Sequence, residues 1–374
     1  MVVLPRPAPL QSEPLTLMTD RCVQCGLCLP HCPTYRLDGS EAESPRGRIA
    51  YIQAVTTGLI EPSPVGDEHL DHCLGCRRCE AVCPAGVEYG ELLTLARVAQ
   101  RRRRPLPLPD RVHLALLARP GWLEALLRLQ AGLVPDRWRR LPSLPPRQPM
   151  PATTGTETAA IFVGCVADGY ESATRAALAR LLAGVGVVAV VPEGQTCCGT
   201  AARHAGLRED AEALAARNRQ AFSGQTRLLT LASGCHEQVQ SSLAGIGQIE
   251  DALSFLASRA ERLAFRTADR RVALHVPCSQ RLIRSDLALR QLLARIPGLD
   301  LVELDDTGCC GAAGLHMLSE PERAAALRAP LLQSLARSGA SELLSANIGC
   351  RLHLGGASPI PVRHPLDFLA EHLA

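Results

Sequence analysis

Two stretches of one pattern, Cys22-Val-Gln-Cys25-Gly-Leu-Cys28-Leu-Pro-His-Cys32-Pro33 and Cys73-Leu-Gly-Cys76-Arg-Arg-Cys79-Glu-Ala-Val-Cys83-Pro84, stand in the amino-terminal part of the chain. Each gives three cysteines at two-residue gaps, a fourth after three more residues, and then a proline. A 4Fe-4S cubane needs four soft thiolates at the corners of a tetrahedron, and two-residue gaps in a tight loop aim three sulfurs at one centre. The fourth sulfur has to come from elsewhere. Structural zinc uses C-x-x-C pairs too, but as two separated pairs, often with histidine. A disulfide framework calls for an oxidising compartment and usually a small secreted chain. The doubled spacing favours two iron-sulfur clusters over both.

In two-cluster ferredoxins the fourth cysteine of each run serves the other cluster. By that logic one cluster falls to Cys22, Cys25, Cys28 and Cys83, and the other to Cys73, Cys76, Cys79 and Cys32. The helix expected over residues 46–55 would pack against them, and a second is expected from Val87 to Gln100. Arg101 to Arg104 then favour its carboxyl end electrostatically.

The 374 residues suffice for two or three domains with substantial cores, and 47% hydrophobic with 21% charged residues describe an ordinary soluble protein. Met1 to Leu15 is proline-rich and reads as no secretory signal, and the apolar run from Leu181 to Val191 is too short to span a bilayer. Sixteen cysteines then imply a reducing cytoplasm in which thiols serve metals. All forty basic residues are arginine, against a net charge of only +3. Twelve of them lie between Arg97 and Arg147, around a leucine-rich stretch from Val112 to Leu133 broken at Pro120-Gly121. This reads either as a basic amphipathic element on an anionic membrane or as two short connector helices packed on the next domain, the second being favoured. Nucleic-acid binding is disfavoured, because stacking aromatics and a strong net charge are missing.

From Ala159 the chain repeats itself. An apolar run ending in Cys165, a helix over Ser172 to Ala183, a valine-rich run, Cys197-Cys198-Gly199, a helix over Leu207 to Phe222 and a run ending in Cys235 recur as Cys278, Leu299 to Leu304, Cys309-Cys310-Gly311 and Cys350. Matching cysteines are 113, 112 and 115 residues apart, which marks a tandem repeat. Short β-rich runs alternating with helices predict parallel sheets, whose ligands collect beyond the carboxyl ends of the strands. The four cysteines of each half are expected to converge there as a further metal or redox site. His236, His275 and His316 stand nearby as candidate extra ligands, the reading as hydrogen-bonded structural residues being favoured.

The whole pattern resembles the iron-sulfur subunit family of bacterial glycolate oxidase. It is carried by Cys32-Pro-Thr-Tyr35, Ser44-Pro-Arg-Gly-Arg-Ile49, His69-Leu-Asp-His-Cys73, Cys83-Pro-Ala-Gly-Val-Glu-Tyr89, Thr307-Gly-Cys-Cys-Gly-Ala-Ala-Gly314 and Ser345-Ala-Asn-Ile-Gly-Cys350. The resemblance implies an α+β chain: an α-helical ferredoxin module with two 4Fe-4S clusters, then a duplicated α/β Cys-Cys-Gly domain. The expected divisions are a flexible leader (1–20), the cluster domain (21–100), a basic, Pro-rich connector (101–157) and two repeats (158–262 and 263–374). It further implies an electron-transfer subunit that takes electrons from FAD-containing glycolate dehydrogenase subunits and passes them towards a quinone, in the cytoplasm on the inner face of the membrane. No G-x-G-x-x-G follows an expected strand, so substrate oxidation is assigned to the partner.

Three alternatives stand beside it. One is the iron-sulfur subunit of a lactate or anaerobic glycerol-3-phosphate dehydrogenase. Another is a disulfide or quinone reductase of heterodisulfide reductase type, whose motif would end in C-x-x-C where this chain has Cys235-His-Glu-Gln238 and Cys350-Arg-Leu-His353. The third is a non-enzymatic iron-sulfur sensor using Arg101 to Arg104.

Overall fold

Serine-proline pairs start two helices of the amino-terminal region. Ser44 precedes Pro45–Thr56 and its hydroxyl accepts from the Gly47 amide at 2.9 Å, while Ser63 precedes Pro64–Asp71 and accepts from Gly66 at 3.0 Å. In both, the cap satisfies an orphan amide and the proline occupies the first-turn position where its missing N–H costs nothing. The computed structural model describes residues 13–135, 139, 141–306 and 308–374. The chain forms two compact units, one running to Pro107 and taking in Arg203–Arg208, the other comprising Leu108–Ala202 and Glu209–Ala374.

Among its described residues the first unit contains helices and no strand. Leu15, Ile49, Ile52, Leu70, Val87, Leu92 and Leu93 build its core, with Cys79 and Tyr89 at the edge of the cysteine loops. The leader, expected to be flexible through residue 20, is helical from Glu13 to Asp20 and buries Leu15 and Thr19. Packing of Leu15 into that core is the reason, a tertiary effect that proline-rich composition does not reveal. The earlier leader residues lie outside the described ones.

In the second unit, four parallel strands form one sheet: β1 (Glu157–Phe162), β2 (Val187–Val190), β3 (Arg227–Thr230) and β4 (Gln248–Asp251), in the order β2-β1-β3-β4. Four more form a second: β5 (Arg271–Leu274), β6 (Asp300–Glu303), β7 (Glu342–Leu344) and β8 (Val362–Arg363), in the order β6-β5-β7-β8. The two orders correspond strand for strand, as a duplication requires. The apolar runs account for three strands in each half. The fourth is a finding of the structure, since Gln-Ile-Glu-Asp and Val-Arg are too short and too polar to show as apolar runs.

One core serves both repeats. Ile161, Leu178, Leu181, Leu182 and Phe255 share a single buried cluster with Val272, Leu289, Leu292, Leu344 and Phe368. The helix that ends the first repeat, Ala252–Ala257, packs on Ser285–Leu293 of the second, and the helix that ends the second, Pro365–Glu371, packs on Ser172–Gly184 of the first. Thr174 Oγ1 donates to Asp367 Oδ2 at 3.1 Å across that contact.

The leucine-rich connector forms two helices, Leu108–Leu117 and Pro120–Leu133, interrupted where Pro120-Gly121 predicts. Leu114 and Leu127 are buried and Thr196 Oγ1 donates to the Ala118 carbonyl at 2.8 Å, so the pair packs on the repeat domain. Trp122, Leu126, Leu129 and Leu133, spaced along one helix face, remain exposed.

Gly199 and Gly311, the glycines of the two Cys-Cys-Gly motifs, adopt φ of +92° and +88°. A Cβ at Gly311 would lie 2.7 Å from the Ala324 carbonyl oxygen, whereas at Gly199 the nearest atoms are at an ordinary 3.4 Å. We therefore expect Gly199→Ala to destabilise the second unit by about 1–2 kcal/mol through backbone strain alone, and Gly311→Ala by roughly 3 kcal/mol or more because backbone must also move. Thermal melting of the two variants checks this, and equal shifts would contradict it.

Candidate metal centres

The loop of each cysteine run is bent by left-handed residues on both sides of its central cysteine. Gln24 and Gly26 flank Cys25 at φ of 57° and 81°, and Gly75 and Arg77 flank Cys76 at 61° and 56°. Repetition of this unfavourable backbone in two unrelated tripeptides means that the loop shape is imposed by what its sulfurs must face.

Two cavities result. One is lined by Cys22, Cys25, Cys28, Cys79 and Cys83. The other is lined by Cys32, Cys73, Cys76 and Cys79. Each thus brings together three cysteines of one run and the fourth of the other, and Cys79 reaches both. Pro45 and Tyr89 line both. Such four-thiol sets fit cubane iron-sulfur clusters in donor type and number. Burial pushes the Cys28 and Cys79 thiols up, and a bound cation offsets that cost because ligating thiols are held as thiolates.

Buried polar groups surround the second cavity. The Arg48 guanidinium, almost fully enclosed, donates to Glu43 Oε2 at 2.6 Å, to the Glu43 carbonyl at 2.8 Å, to Thr34 Oγ1 at 3.1 Å and to the His69 carbonyl at 2.5 Å. The Arg97 guanidinium donates to the carbonyls of Leu70, Asp71 and Cys73 at 2.7, 3.1 and 2.7 Å. Tyr89 directs its hydroxyl at Cys73 Sγ, 3.7 Å away, and Thr34 Oγ1 lies 3.2 Å from Cys32 Sγ. Burial by itself would raise the Glu43 carboxyl, but hydrogen bonds with His72 and His69 and the charge of Arg48 outweigh it and hold the group down at about 2. Sequence patterns alone do not single out Glu43, Arg48, Arg97 or His72 as site residues. The one available signal is the pair of histidines, His69 and His72, directly before Cys73.

In the repeat domain all eight cysteines follow carboxyl ends of strands, and each half brings its four together. Cys197 meets Cys165 and Cys198, and Cys198 in turn meets Cys235. In the second half Cys310 Sγ lies 3.1 Å from Cys350 Sγ, Cys309 adjoins Cys310, and Cys278 is close to Cys350. The geometry repeats in detail: the Gly199 amide donates to Cys197 Sγ at 3.5 Å and the Gly311 amide to Cys309 Sγ at 3.4 Å. Thr307, beside the second motif, lies outside the described residues. All sixteen cysteines are described, and none is joined in a disulfide. Hydrogen bonds of Cys197 with Cys165 and Cys198, added to burial, push its thiol up, whereas hydrogen bonds with Cys197 and Cys235 hold the Cys198 thiol well down.

The three nearby histidines are hydrogen-bonded within the fold. His236 Nδ1 pairs with Thr230 Oγ1 at 2.8 Å, His275 Nδ1 with Ser345 Oγ at 3.0 Å and His316 Nδ1 with the Gly311 carbonyl at 2.9 Å.

Known proteins share this arrangement. Residues 18–87 match the 4Fe-4S dicluster domain, and residues 159–240 and 272–355 each match the cysteine-rich domain that carries Cys-Cys-Gly. The glycolate oxidase iron-sulfur subunit of Escherichia coli (strain K12) is 32% identical, over 94% of this chain and 93% of its own. This chain belongs to the glycolate oxidase iron-sulfur subunit family. A second relative, the probable glycolate oxidase iron-sulfur subunit of Bacillus subtilis (strain 168), is 31% identical over 94% of this chain and 93% of its own. Similarity extends more weakly to the lactate utilization protein A 2 of Bacillus cereus (strain Q1), 24% identical over 57% of this chain and 98% of its own. The family's mixed α/β organisation, an iron-sulfur domain followed by a duplicated cysteine-rich domain, is the one seen here. Among the described residues no helix is long and apolar enough to cross a membrane.

Replacing Arg48 with methionine leaves Glu43 buried without its cation and strands the Thr34, Glu43 and His69 acceptors. We expect it to cost about 3–5 kcal/mol and to release iron from the first unit before the second unit melts. Calorimetry with visible absorbance checks this, and an unshifted first transition would refute it.

Proposed function

We propose that this chain is the electron relay of a glycolate-oxidising complex, carrying two 4Fe-4S clusters. One is ligated by Cys22, Cys25, Cys28 and Cys83, the other by Cys73, Cys76, Cys79 and Cys32. The observation that supports this above others is the crossed lining of the two cavities. Thiolate-bound clusters take one electron at a time, so they can drain a two-electron flavin donor stepwise. The protein's part is to hold eight sulfurs in two adjoining sets, with Cys79, Pro45 and Tyr89 forming the wall common to both. Arg48, Arg97 and Tyr89 place positive charge and a hydroxyl beside the second set, where they favour its more negative, reduced state.

Oxidation of glycolate or D-lactate falls to an FAD-containing partner subunit, and a quinone is the proposed acceptor. The exposed Trp122, Leu126, Leu129 and Leu133 stripe, with Arg119 and Arg128 beside it, supports peripheral attachment to the inner face of the cytoplasmic membrane. The duplicated domain supplies two further four-thiol sites that suit a metal or cluster. Absence of the fifth cysteine at Gln238 and His353 argues against heterodisulfide chemistry there.

Anaerobic iron and acid-labile sulfide analysis with EPR tests both parts. About eight irons should survive in a Cys235→Ser/Cys350→Ser double variant, and about four should be lost in Cys76→Ser. Wild-type iron above about eight that falls in the double variant assigns iron to the repeats, and iron unchanged at eight removes it from them. Fewer than about four irons after anaerobic reconstitution would overturn the relay itself.

A further inference from the structure

A third set of ligand atoms lies outside the sixteen cysteines. His69 Nδ1, His72 Nδ1 and Glu43 Oε1 all fall within 4.8 Å of one another, each imidazole nitrogen 2.6 Å from the same carboxylate oxygen. His69 sits in the last turn of Pro64–Asp71 and His72 caps it, a three-residue spacing that turns both rings to one side. The arrangement is built rather than incidental. Arg48 occupies the other oxygen of Glu43 at 2.6 Å, which fixes the carboxylate with Oε1 towards the histidines. Glu43 is enclosed, whereas the His69 and His72 side chains keep 29% and 17% exposure, so the set opens to water on its imidazole side.

Two imidazole nitrogens converge on one carboxylate oxygen whose partner oxygen is already held by Arg48, so two nitrogen donors and one oxygen donor stand together before any ion arrives. Imidazole with carboxylate is a donor set that zinc and ferrous iron accept.

We propose that Glu43, His69 and His72 bind a divalent transition-metal cation, zinc or ferrous iron, at a site separate from the cysteine centres. Two imidazoles and one carboxylate suit these ions and leave a position for water on the exposed side. Binding needs the rings to move outward by less than about 1 Å, from hydrogen-bonding to ligand–ligand separation. The ion would tie two segments that carry cluster ligands. On one side the Glu43 carbonyl accepts from Thr34 Oγ1 at 2.7 Å, two residues after Cys32, and on the other His72 precedes Cys73.

The test uses anaerobically purified full-length protein with its iron in place, treated with chelator, titrated with zinc and desalted. The expected result is about one retained zinc per chain, lost at least tenfold in His69→Ala, with iron, sulfide and visible absorbance unchanged. Because zinc can also enter cysteine sites, X-ray absorption at the zinc edge is measured on the wild type and should show a nitrogen and oxygen shell with imidazole scattering. If His69→Ala also loses iron, that spectrum decides alone. Zinc below about a tenth of an equivalent, zinc bound through sulfur, or zinc retained in an intact His69→Ala protein would each overturn the proposal. The iron content is read independently, so failure here is distinct from failure of the electron relay.

Discussion

A helix that ends at a cysteine loop leaves its last carbonyls without intrahelical partners, and buried arginine resolves that conflict here. His69, Leu70 and Asp71 close the helix Pro64–Asp71 just before Cys73. In the first unit the carbonyls of Leu70, Asp71 and Cys73 converge on Arg97, and those of Glu43 and His69 on Arg48. A guanidinium suits this because its planar fork presents five donors and stays charged when enclosed. A lysine could reach one or two of these acceptors, but its three donors radiate from a single nitrogen. The arginine-only composition is therefore not neutral at these two positions, whatever its origin elsewhere in the chain.

That solution brings a second requirement, since an enclosed guanidinium has to meet an anion. Glu43 supplies it at Arg48, and the histidines on its remaining oxygen complete a polar chain running from Thr34, beside Cys32, to His72, beside Cys73. Desolvation makes such a chain costly if any member is lost, which is why it holds two distant loops in fixed relation. In the repeat domain order comes from a different source. Four-stranded parallel sheets place every cysteine beyond a strand end, and one shared apolar core fixes the two sheets against each other. Each repeat lends its final helix to the other, so neither half buries its own apolar surface alone.

Much of this was legible in the sequence, because the decisive signals are local. Thiolate chemistry demands fixed gaps of two and three residues, and these appear unaltered at Cys22 to Cys32 and at Cys73 to Cys83. Duplication preserves spacing, so offsets of 112 to 115 residues between matching cysteines exposed the tandem repeat, and strand-helix alternation exposed its parallel sheets. Tertiary structure alone decided the rest. It made a helix of Glu13 to Asp20, because Leu15 finds a core that no neighbour in sequence announces. It added β4 and β8, whose pairing with β3 and β7 substitutes for the apolar pattern they lack. It also brought Glu43 to His69 and His72, which follow it by 26 and 29 residues. Spacing and periodicity report only what a segment needs within a turn or two of itself, whereas charge pairing and burial depend on which distant segments meet when the chain closes.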